Sequence, residues 1–342
     1  MQSGEERGDN IFSILKMESI IVIQPDLKSI KPAKKEALDL QRAIEFEDCM
    51  EADFKTEMLS KCTSMLDTVF YIDGVLTISE CSDLCATCDN CGHLKFWSSA
   101  GRDDEAARSF RDADTVEVKS KILSDTIWER MKTLLPNPRI SIPDDEDDIN
   151  WERDLVGNWE ASSLNFDLLF AKYPNGGAFA PHTDGRAIHS FNTRSFSTVI
   201  IFLNDISAEN GGGTRFYEEA ATKNLHLQSS DVDLKSSNRW TAIPSLALDT
   251  VSAVAGRMLI FDQSLVHEGV PPSSPFSKYI IRSDIMYTRS PGLCNQPRDL
   301  EAYAIFKDAE DLAESGMVDD AIQLFRRAFK LSPDLSKIMG HS

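Results

Sequence analysis

The chain has 342 residues, enough for one large domain with a smaller attachment and a sizeable buried core. Its apolar content of 42% and charged content of 27% are those of a soluble globular protein. A formal net charge of −19 excludes a surface built to hold phosphate backbones or an anionic membrane, both of which need clustered Lys and Arg.

Residues 1–60 mix charged and apolar residues around a Lys-Pro-Ala-Lys-Lys run at 31–35 and read as a partly ordered extension. Within it, Lys34 to Met58 has the composition of an acidic helix but a weak apolar period. No charged leader runs into a long apolar segment and no apolar run spans a membrane, so the expectation is a cytosolic or nuclear protein. Val69 to Thr77 reads as a strand with a turn at Asp73-Gly74, and Glu80 to Cys91 as a helix ended by Gly92. Four of the seven cysteines, Cys81, Cys85, Cys88 and Cys91, fall here with His93 just beyond. Their C-x-x-C spacings allow a zinc site. The competing reading places Cys81, Cys85 and Cys88 on one buried stripe of the helix. It is favoured because no second Cys or His pair lies at the usual distance. Ser120 to Leu135 carries Ile122, Leu123, Ile127, Met131 and Leu134 at helical spacing and is stopped by Pro136. Asp144 to Asp148 reads as a solvated acidic loop.

From Asn165 the pattern changes to short strand-like runs: 166–173, 196–204, 214–217, 255–262 and 278–287, with a triple-glycine turn at 211–213. Many strands separated by Gly-rich turns, without interleaved long helices, indicate a mainly β sandwich or barrel with flanking helices. Residues 218–250, which include His226, read as a long polar loop over that scaffold. Trp151 and Trp159, just before it, are expected to pack in the core, and His189 and Arg194 to occupy surface loop positions. Beyond Ala302 the chain turns helical. Ile305, Ala309, Leu312, Gly316, Ala321, Phe325, Ala328, Leu331 and Pro333 follow the pattern of one tetratricopeptide repeat of about 34 residues. A lone repeat cannot bury its own face, so it packs on the barrel, pairs with another copy or meets a protein partner. The expected organisation is thus an extension over 1–60, a support region over 61–150, a β core over 151–290 and a helical hairpin over 300–336.

The chemistry concentrates in Y-P-N-G-G-A-F-A-P-H-T-D, Tyr173 to Asp184. In an extended strand residues two apart share a side, so His182 and Asp184 aim an imidazole and a carboxylate at one point. His267, in M-L-I-F-D-Q-S-L-V-H-E-G, is the third candidate. Two His and one carboxylate on one face of a metal, with other positions open, form the facial triad of non-haem Fe(II) oxygenases.

The ordered set is a Tyr-Pro-Gly-rich strand into His-x-Asp, a strand ending Phe-Leu-Asn, a triple-glycine turn, an apolar strand before His-Glu-Gly, and a basic residue beyond. It resembles the Fe(II)- and 2-oxoglutarate-dependent dioxygenases, and among them the prolyl 4-hydroxylase-like group. The resemblance runs over roughly residues 66–290, about two-thirds of the chain. It implies a double-stranded β-helix, or jelly roll, with His182, Asp184 and His267 as iron ligands. It further implies that O2 and 2-oxoglutarate are consumed, with release of succinate and CO2, to hydroxylate an unactivated C–H bond. Ascorbate is an optional reductant. Relatives that halogenate carry a small residue at the carboxylate position, so Asp184 implies hydroxylation. A Lys or Arg on the strand after the second His takes the far carboxylate of 2-oxoglutarate, and Lys278 and Arg282 both qualify. Lys278 stands at the prolyl hydroxylase spacing, about eleven residues past His267. Arg282 offers a bidentate fork. Tyr173 matches a position facing the cosubstrate, although a barrel-wall aromatic fits it equally. Phe202 stands where relatives have a second carboxylate donor, a role Thr198 or Thr214 could take over. Arg111, in R-S-F-R-D-A-D, matches a loop near the mouth. The implied substrate is a prolyl or other residue of a protein, with a small molecule as the rival. A catalytically silent adaptor acting through the hairpin is the remaining alternative, and no nucleic acid is expected.

Overall fold

The structure, a computed structural model, describes residues 37–38, 62–66, 68–98, 103–145, 152–217 and 247–341. The expected helix from Lys34 to Met58 therefore lies outside the described residues, apart from Ala37–Leu38, which form strand β1. Trp151, His226 and most of the acidic run and polar loop also lie outside them.

Strands β2 (Cys62–Leu66), β3 (Val69–Ile72), β4 (Lys95–Phe96), β5 (Asp114–Lys119), β6 (Arg139–Ile142), β7 (Gly157–Leu164) and β8 (Asp167–Tyr173) precede the His-x-Asp motif. They are joined by β10 (Ile188–Ser190), β11 (Thr193–Phe202), β14 (Met258–Asp262) and β16 (Lys278–Arg289) in one large sheet. Its spine runs β1-β5-β8-β16-β11-β14-β3-β2. A smaller sheet, in the order β13-β12-β15-β9, is made from β9 (Phe179–His182), β12 (Thr214–Tyr217), β13 (Ala247–Val251) and β15 (His267–Gly269). Apart from the parallel β1–β5 pair, every strand pairing among the described residues is antiparallel. This is the mainly antiparallel jelly-roll core expected.

The alternation of side chains along the central strands decides what each layer holds. On β11, Val199 and Ile201 join the cluster that packs on helices, whereas Ile200 and Phe202 face the inter-sheet core. On β14, Met258 and Ile260 take the first face and Leu259 and Phe261 the second. On β16, Ile281 and Ile285 face the helices and Ile280 the interior. Both faces are covered, which is why these strands read as continuous apolar runs rather than alternating ones.

The helix side is closed by α1 (Ile78–Asn90), the short α2 (Glu105–Phe110) and α3 (Lys121–Met131). Helix α1 opens on a capping box: the Glu80 N–H donates to Thr77 Oγ1 at 3.2 Å and the Thr77 N–H to Glu80 Oε2 at 2.8 Å. Cys81 and Cys88 are buried against the large sheet and Cys85 packs beside them. Burial pushes the Cys81 and Cys88 thiols up to about 12 and Cys85 to about 11. The buried-stripe reading therefore holds. Among the described residues, the only group of His, Cys, Asp and Glu able to hold a metal lies elsewhere.

The C-terminal segment forms α4 (Pro297–Glu314), α5 (Val318–Leu331) and α6 (Pro333–Ile338). Ala302, Tyr303, Phe306, Ala328 and Leu335 enclose Phe191, from the β10–β11 turn. The hairpin thus covers its apolar face on the barrel. Its kinship with tetratricopeptide repeats rests on the sequence pattern alone.

Helices α1 and α3 are tied by a buried ion pair. Arg130 donates from Nη1 to Glu80 Oε2 at 2.9 Å and from Nη2 to Oε1 at 2.8 Å, and Nη1 also reaches the Val75 carbonyl at 2.9 Å. Burial pulls the Glu80 carboxyl up, but Arg130 and the Thr77 contacts outweigh it and hold it below its ordinary value. Replacing one partner leaves the other charged and buried, so Arg130→Met is expected to cost about 3–5 kcal/mol in urea unfolding at neutral pH. Because the folded-state pKa of Glu80 is depressed, the pair contributes fully above the ordinary glutamate range and loses its contribution as pH falls through it. The deficit of Arg130→Met should therefore shrink on acidification; a pH-independent deficit would show that packing, not the charge pair, is what was lost.

Candidate metal centre

His182 ends β9 and His267 begins β15, and the two are directly paired in the antiparallel register. Their ring centroids lie 4.3 Å apart. Asp184 follows two residues past His182, held by its own N–H donating to the Gln263 carbonyl at 2.9 Å. Asp184 Oδ1 lies 3.8 Å from His182 Nε2, and Oδ2 lies 3.6 Å from His267 Nε2. One ligand atom from each of the three can be drawn within 4.8 Å of the others. The structure thus brings together all three residues expected from the motif.

The backbone decides the tautomers. His182 Nδ1 sits 2.7 Å from the Ala180 carbonyl, and His267 Nδ1 sits 3.0 Å from the Leu265 carbonyl. A carbonyl only accepts, so each ring carries its proton on Nδ1 and keeps the Nε2 lone pair for the centre. Burial, reinforced by the neighbouring His267, holds the His182 pKa down to about 3, and burial lowers His267 too. Burial alone would raise the Asp184 pKa; Arg282 and the Thr198 hydroxyl hold it well below the carboxylate range. Thr198 Oγ1 donates to Asp184 Oδ2 at 2.6 Å. Two neutral nitrogen donors and one ionised carboxylate converging on one point fit a divalent metal of the Fe(II) type.

The two candidate cations have different surroundings. Lys278 is buried on β16; its Nζ donates to the Gly213 carbonyl at 3.1 Å and lies 5.1 Å from the Tyr173 ring centroid and 5.8 Å from that of Phe202. No carboxylate forms an ion pair with it among the described residues, and burial holds its pKa down to about 7. The triple-glycine turn makes this approach possible. Gly211 and Gly212 adopt φ of 77° and 73°, and a Cβ on Gly213 would stand 2.5 Å from the Val251 carbonyl. Arg282, by contrast, is committed. Its Nη2 lies 3.1 Å from Asp284 Oδ1 and 3.6 Å from Asp184 Oδ1. Asp284 is fixed in turn by Gln263 Nε2 at 2.9 Å. Asp284, two residues beyond Arg282 on the same face of β16, is the structural partner the sequence suggested, whereas Gln263, just past the end of β14, was not singled out by the motif.

Tyr173 is buried on the interior face of β8, opposite Lys278 in the strand register. Thr214 Oγ1 is buried without a hydrogen-bond partner, and its register partner on β15 is Gly269, where a Cβ would stand 3.6 Å from Lys278 Nζ. His189 is exposed, as expected. Arg194 is not a surface residue: it is buried and pairs with Asp154 at 2.8 Å over Trp159. Strands β10 and β11 form a hairpin that carries Arg194 inward, where a solvated loop was expected. Trp159 is buried in the core and donates to the Leu155 carbonyl at 2.8 Å.

A fold of two facing antiparallel sheets with a His-x-Asp…His triad between them is that of the Fe(II)/2-oxoglutarate oxygenase superfamily. Within it, the sequence model of phytanoyl-CoA dioxygenase (PhyH) matches residues 69–279, and the chain belongs to that family. No curated protein matches the chain. Among solved structures, a prolyl-4-hydroxylase from Pseudomonas putida is similar at 13% identity over 65% of this chain and 92% of that one, with a TM-score of 0.38. A Trichoplax adhaerens prolyl hydroxylase, solved with a hypoxia inducible factor peptide, shares 13% identity over 66% and 84%, at 0.39. HygX from Streptomyces hygroscopicus, solved with nickel and 2-oxoglutarate, shares 11% over 66% and 84%, at 0.35. None of these likenesses speaks to substrate. Among the described residues, no helix is long and apolar enough to cross a membrane.

Thr198 holds one oxygen of Asp184, so Thr198→Val should weaken metal binding about 10- to 100-fold while leaving the fold intact. Titration with Co(II), whose d–d spectrum reports the ligand set, checks this. An unchanged affinity would show that Arg282 and the backbone fix the carboxylate without the hydroxyl.

Proposed function

We propose that the protein is an Fe(II)- and 2-oxoglutarate-dependent hydroxylase in which His182, Asp184 and His267 hold the metal and Lys278 takes the far carboxylate of 2-oxoglutarate. The observation that carries this is the contrast between the two cations: Lys278 is buried without a carboxylate partner among the described residues, while Arg282 already bridges Asp184 and Asp284. A buried unpaired ammonium is costly, and an anionic ligand removes that cost. Thr214, with its buried free hydroxyl, is the second donor to the same carboxylate. Phe202 walls the pocket where a further donor could have stood.

When bound, iron with its cosubstrate and O2 supplies the oxidising power for an unactivated C–H bond, with succinate and CO2 as coproducts. The protein's own part is geometric. The Nδ1 protons parked on the Ala180 and Leu265 carbonyls keep both imidazoles aimed and neutral. Phe179 stacks on His182 at 3.6 Å between centroids, and Phe261 closes on His267 at 4.5 Å, excluding water from the ligand rings. Asp184 fills the position that a halide would need. A prolyl or other residue of a protein is the substrate class suggested by the order of motifs around Tyr173 and Lys278. Membership of a family described by a CoA-thioester dioxygenase favours a small-molecule acid or thioester as the second reading. Turnover of a peptide array against a panel of metabolites separates the two.

Anaerobic titration of Fe(II) and 2-oxoglutarate, followed through the visible metal-to-ligand charge-transfer band, tests the reading. The band is expected in the parent, to be absent in His182→Ala, and to need about 10- to 100-fold more 2-oxoglutarate in Lys278→Ala. Burial lowers the free-state pKa of Lys278 to about 7, and a bound carboxylate raises it. Affinity should therefore be flat below about pH 7 and fall about tenfold per unit above it, a trend lost in Lys278→Ala. A band insensitive to Lys278→Ala but weakened in Arg282→Met would hand the carboxylate to Arg282. No band at all would leave the silent adaptor.

A further inference from the structure

Of the three residues of the triad, only Asp184 lies outside a strand. Strand β9 ends at His182, His267 opens β15, and β10 does not begin until Ile188. Residues 183–187 therefore carry the carboxylate on a loop whose Gly185 is exposed. A loop held only at its ends moves more than the strands it joins. This one is gripped along its length, and the centre of the grip is a side chain that the triad does not contain, Gln263, just past β14.

Gln263 is buried, as are Ser195 on β11 and Asp284 on β16. Its Nε2 donates to Asp284 Oδ1 at 2.9 Å and to the Gly185 carbonyl at 3.3 Å, and its Oε1 accepts from Ser195 Oγ at 3.0 Å. Its backbone carbonyl accepts the Asp184 N–H at 2.9 Å. Ser195 takes the other end of the loop. Its Oγ accepts the Ala187 N–H at 2.7 Å, and its own N–H donates to the Ala187 carbonyl at 2.9 Å. These bonds decide which way the amide points. Ser195 has one hydroxyl hydrogen, and with the Ala187 N–H on a lone pair that hydrogen goes to Gln263 Oε1. The amide NH2 then faces two acceptors, the Gly185 carbonyl and the carboxylate that pairs with Arg282. Turned over, the amide would set its oxygen against both. Every polar atom of the side chain is thus used in one orientation, and a buried network satisfied in this way specifies a single arrangement of what it holds.

On the reading that His182, Asp184 and His267 hold a metal, we infer that Gln263 is a positioning residue that sets the Asp184 loop in its ligand-presenting form before any metal arrives. The imidazoles need no such device, because β9 and β15 pair His182 directly with His267. Asp184 alone is brought to them from the side of the large sheet. Thr198 and Arg282 act on its carboxylate, whereas Gln263 acts on the backbone that carries it. The loop has one further tether, the ion pair of Arg186 Nη1 with Glu152 Oε1 at 2.8 Å, which is more exposed than the Gln263 network.

The test uses the full chain. In the metal-free protein, backbone amide exchange over residues 183–187 is expected to be about 10- to 100-fold faster in Gln263→Met than in the parent. Co(II) affinity, read from the d–d spectrum, should fall by a similar factor. Gln263→Glu keeps the size of the side chain but sets an oxygen against Asp284 and Gly185, and should lose at least as much. Arg130→Met breaks the α1–α3 ion pair instead and should leave both readouts within about twofold of the parent, which separates the latch from a general loss of stability. Should Gln263→Met fail to fold, Ser195→Ala, which removes the hydroxyl that orients the amide, reads the same loop. Loop exchange and Co(II) affinity equal to the parent's in Gln263→Met, or an equal loss in Arg130→Met, overturn the inference. So does a loop released by Arg186→Met but not by Gln263→Met, which assigns it to the Glu152 pair. A parent that binds no Co(II) overturns the metal reading, and exchange in the metal-free chain then still decides whether Gln263 holds the loop.

Discussion

Everything in this site depends on keeping two imidazoles neutral beside one ionised carboxylate in a dry interior. Burial does the first, pushing His182 down to about 3. It would by itself undo the second, because the same desolvation raises a carboxyl. Asp184 escapes because Arg282 and Thr198 stand against it, at 3.6 Å and 2.6 Å. The metal-ready state is therefore a product of four strands, β9 for the first His, β15 for the second, β11 for the threonine and β16 for the arginine, with Gln263 just past β14 clamping the loop that carries Asp184. No single stretch of sequence holds it.

The two-residue period of the strands is what lets a hydrophobic core and a polar site occupy the same sheet. Thr198, Ile200 and Phe202 point between the sheets while Val199 and Ile201 pack on the helix side. A one-residue slip in β11 would send the Asp184 donor into the apolar layer and a valine towards the metal. The register is pinned on both sides, with β11 paired to β14 and β16 over most of its length. The Glu80–Arg130 pair then fastens α1 to α3 over the outer face. Rigidity of that kind is what an open-sided metal site requires, since its ligands must hold their geometry with part of the coordination sphere free for substrate.

This explains what the sequence disclosed and what it withheld. His182 and Asp184 were legible from their two-residue spacing, although β9 ends at His182 and the Gln263 carbonyl holds Asp184 in the loop beyond, and His267 because the apolar run before it reads as a strand delivering a residue to the same centre. Helices α1 and α3 were legible from their caps and stops, and the cysteine stripe from its spacing. Strand β5 was not, because D-T-V-E-V-K carries three charges against two apolar residues and gains its place by pairing with its neighbours, β8 above all. Arg194 was misjudged for a related reason: a charged residue after a turn looks solvated until Asp154, forty positions earlier, is seen beside it. Arg111 belongs to the same class. Phe179, whose ring lies under its guanidinium, is distant in the chain, and only the bridge to β9 joins them.

The two candidate cosubstrate cations on β16 show how a fold assigns roles that residue type leaves open. Lys278 and Arg282 lie four residues apart on one face of one strand, and by chemistry alone the arginine is the better partner for a carboxylate. The strand's neighbours reverse that preference. At Arg282 the facing positions bring in Asp184, and Asp284 lies two residues along, so the fork is already occupied by carboxylates. At Lys278 they bring in Tyr173, Phe202 and the Gly213 carbonyl, which surround the ammonium without neutralising it. The weaker carboxylate binder is thus the one left with charge to spare, and the stronger one is spent on holding the carboxylate of the triad in place. Exchanging the two residues would put a fork where no aspartate waits and a flexible ammonium where two must be bridged, so the order Lys then Arg is itself part of the site.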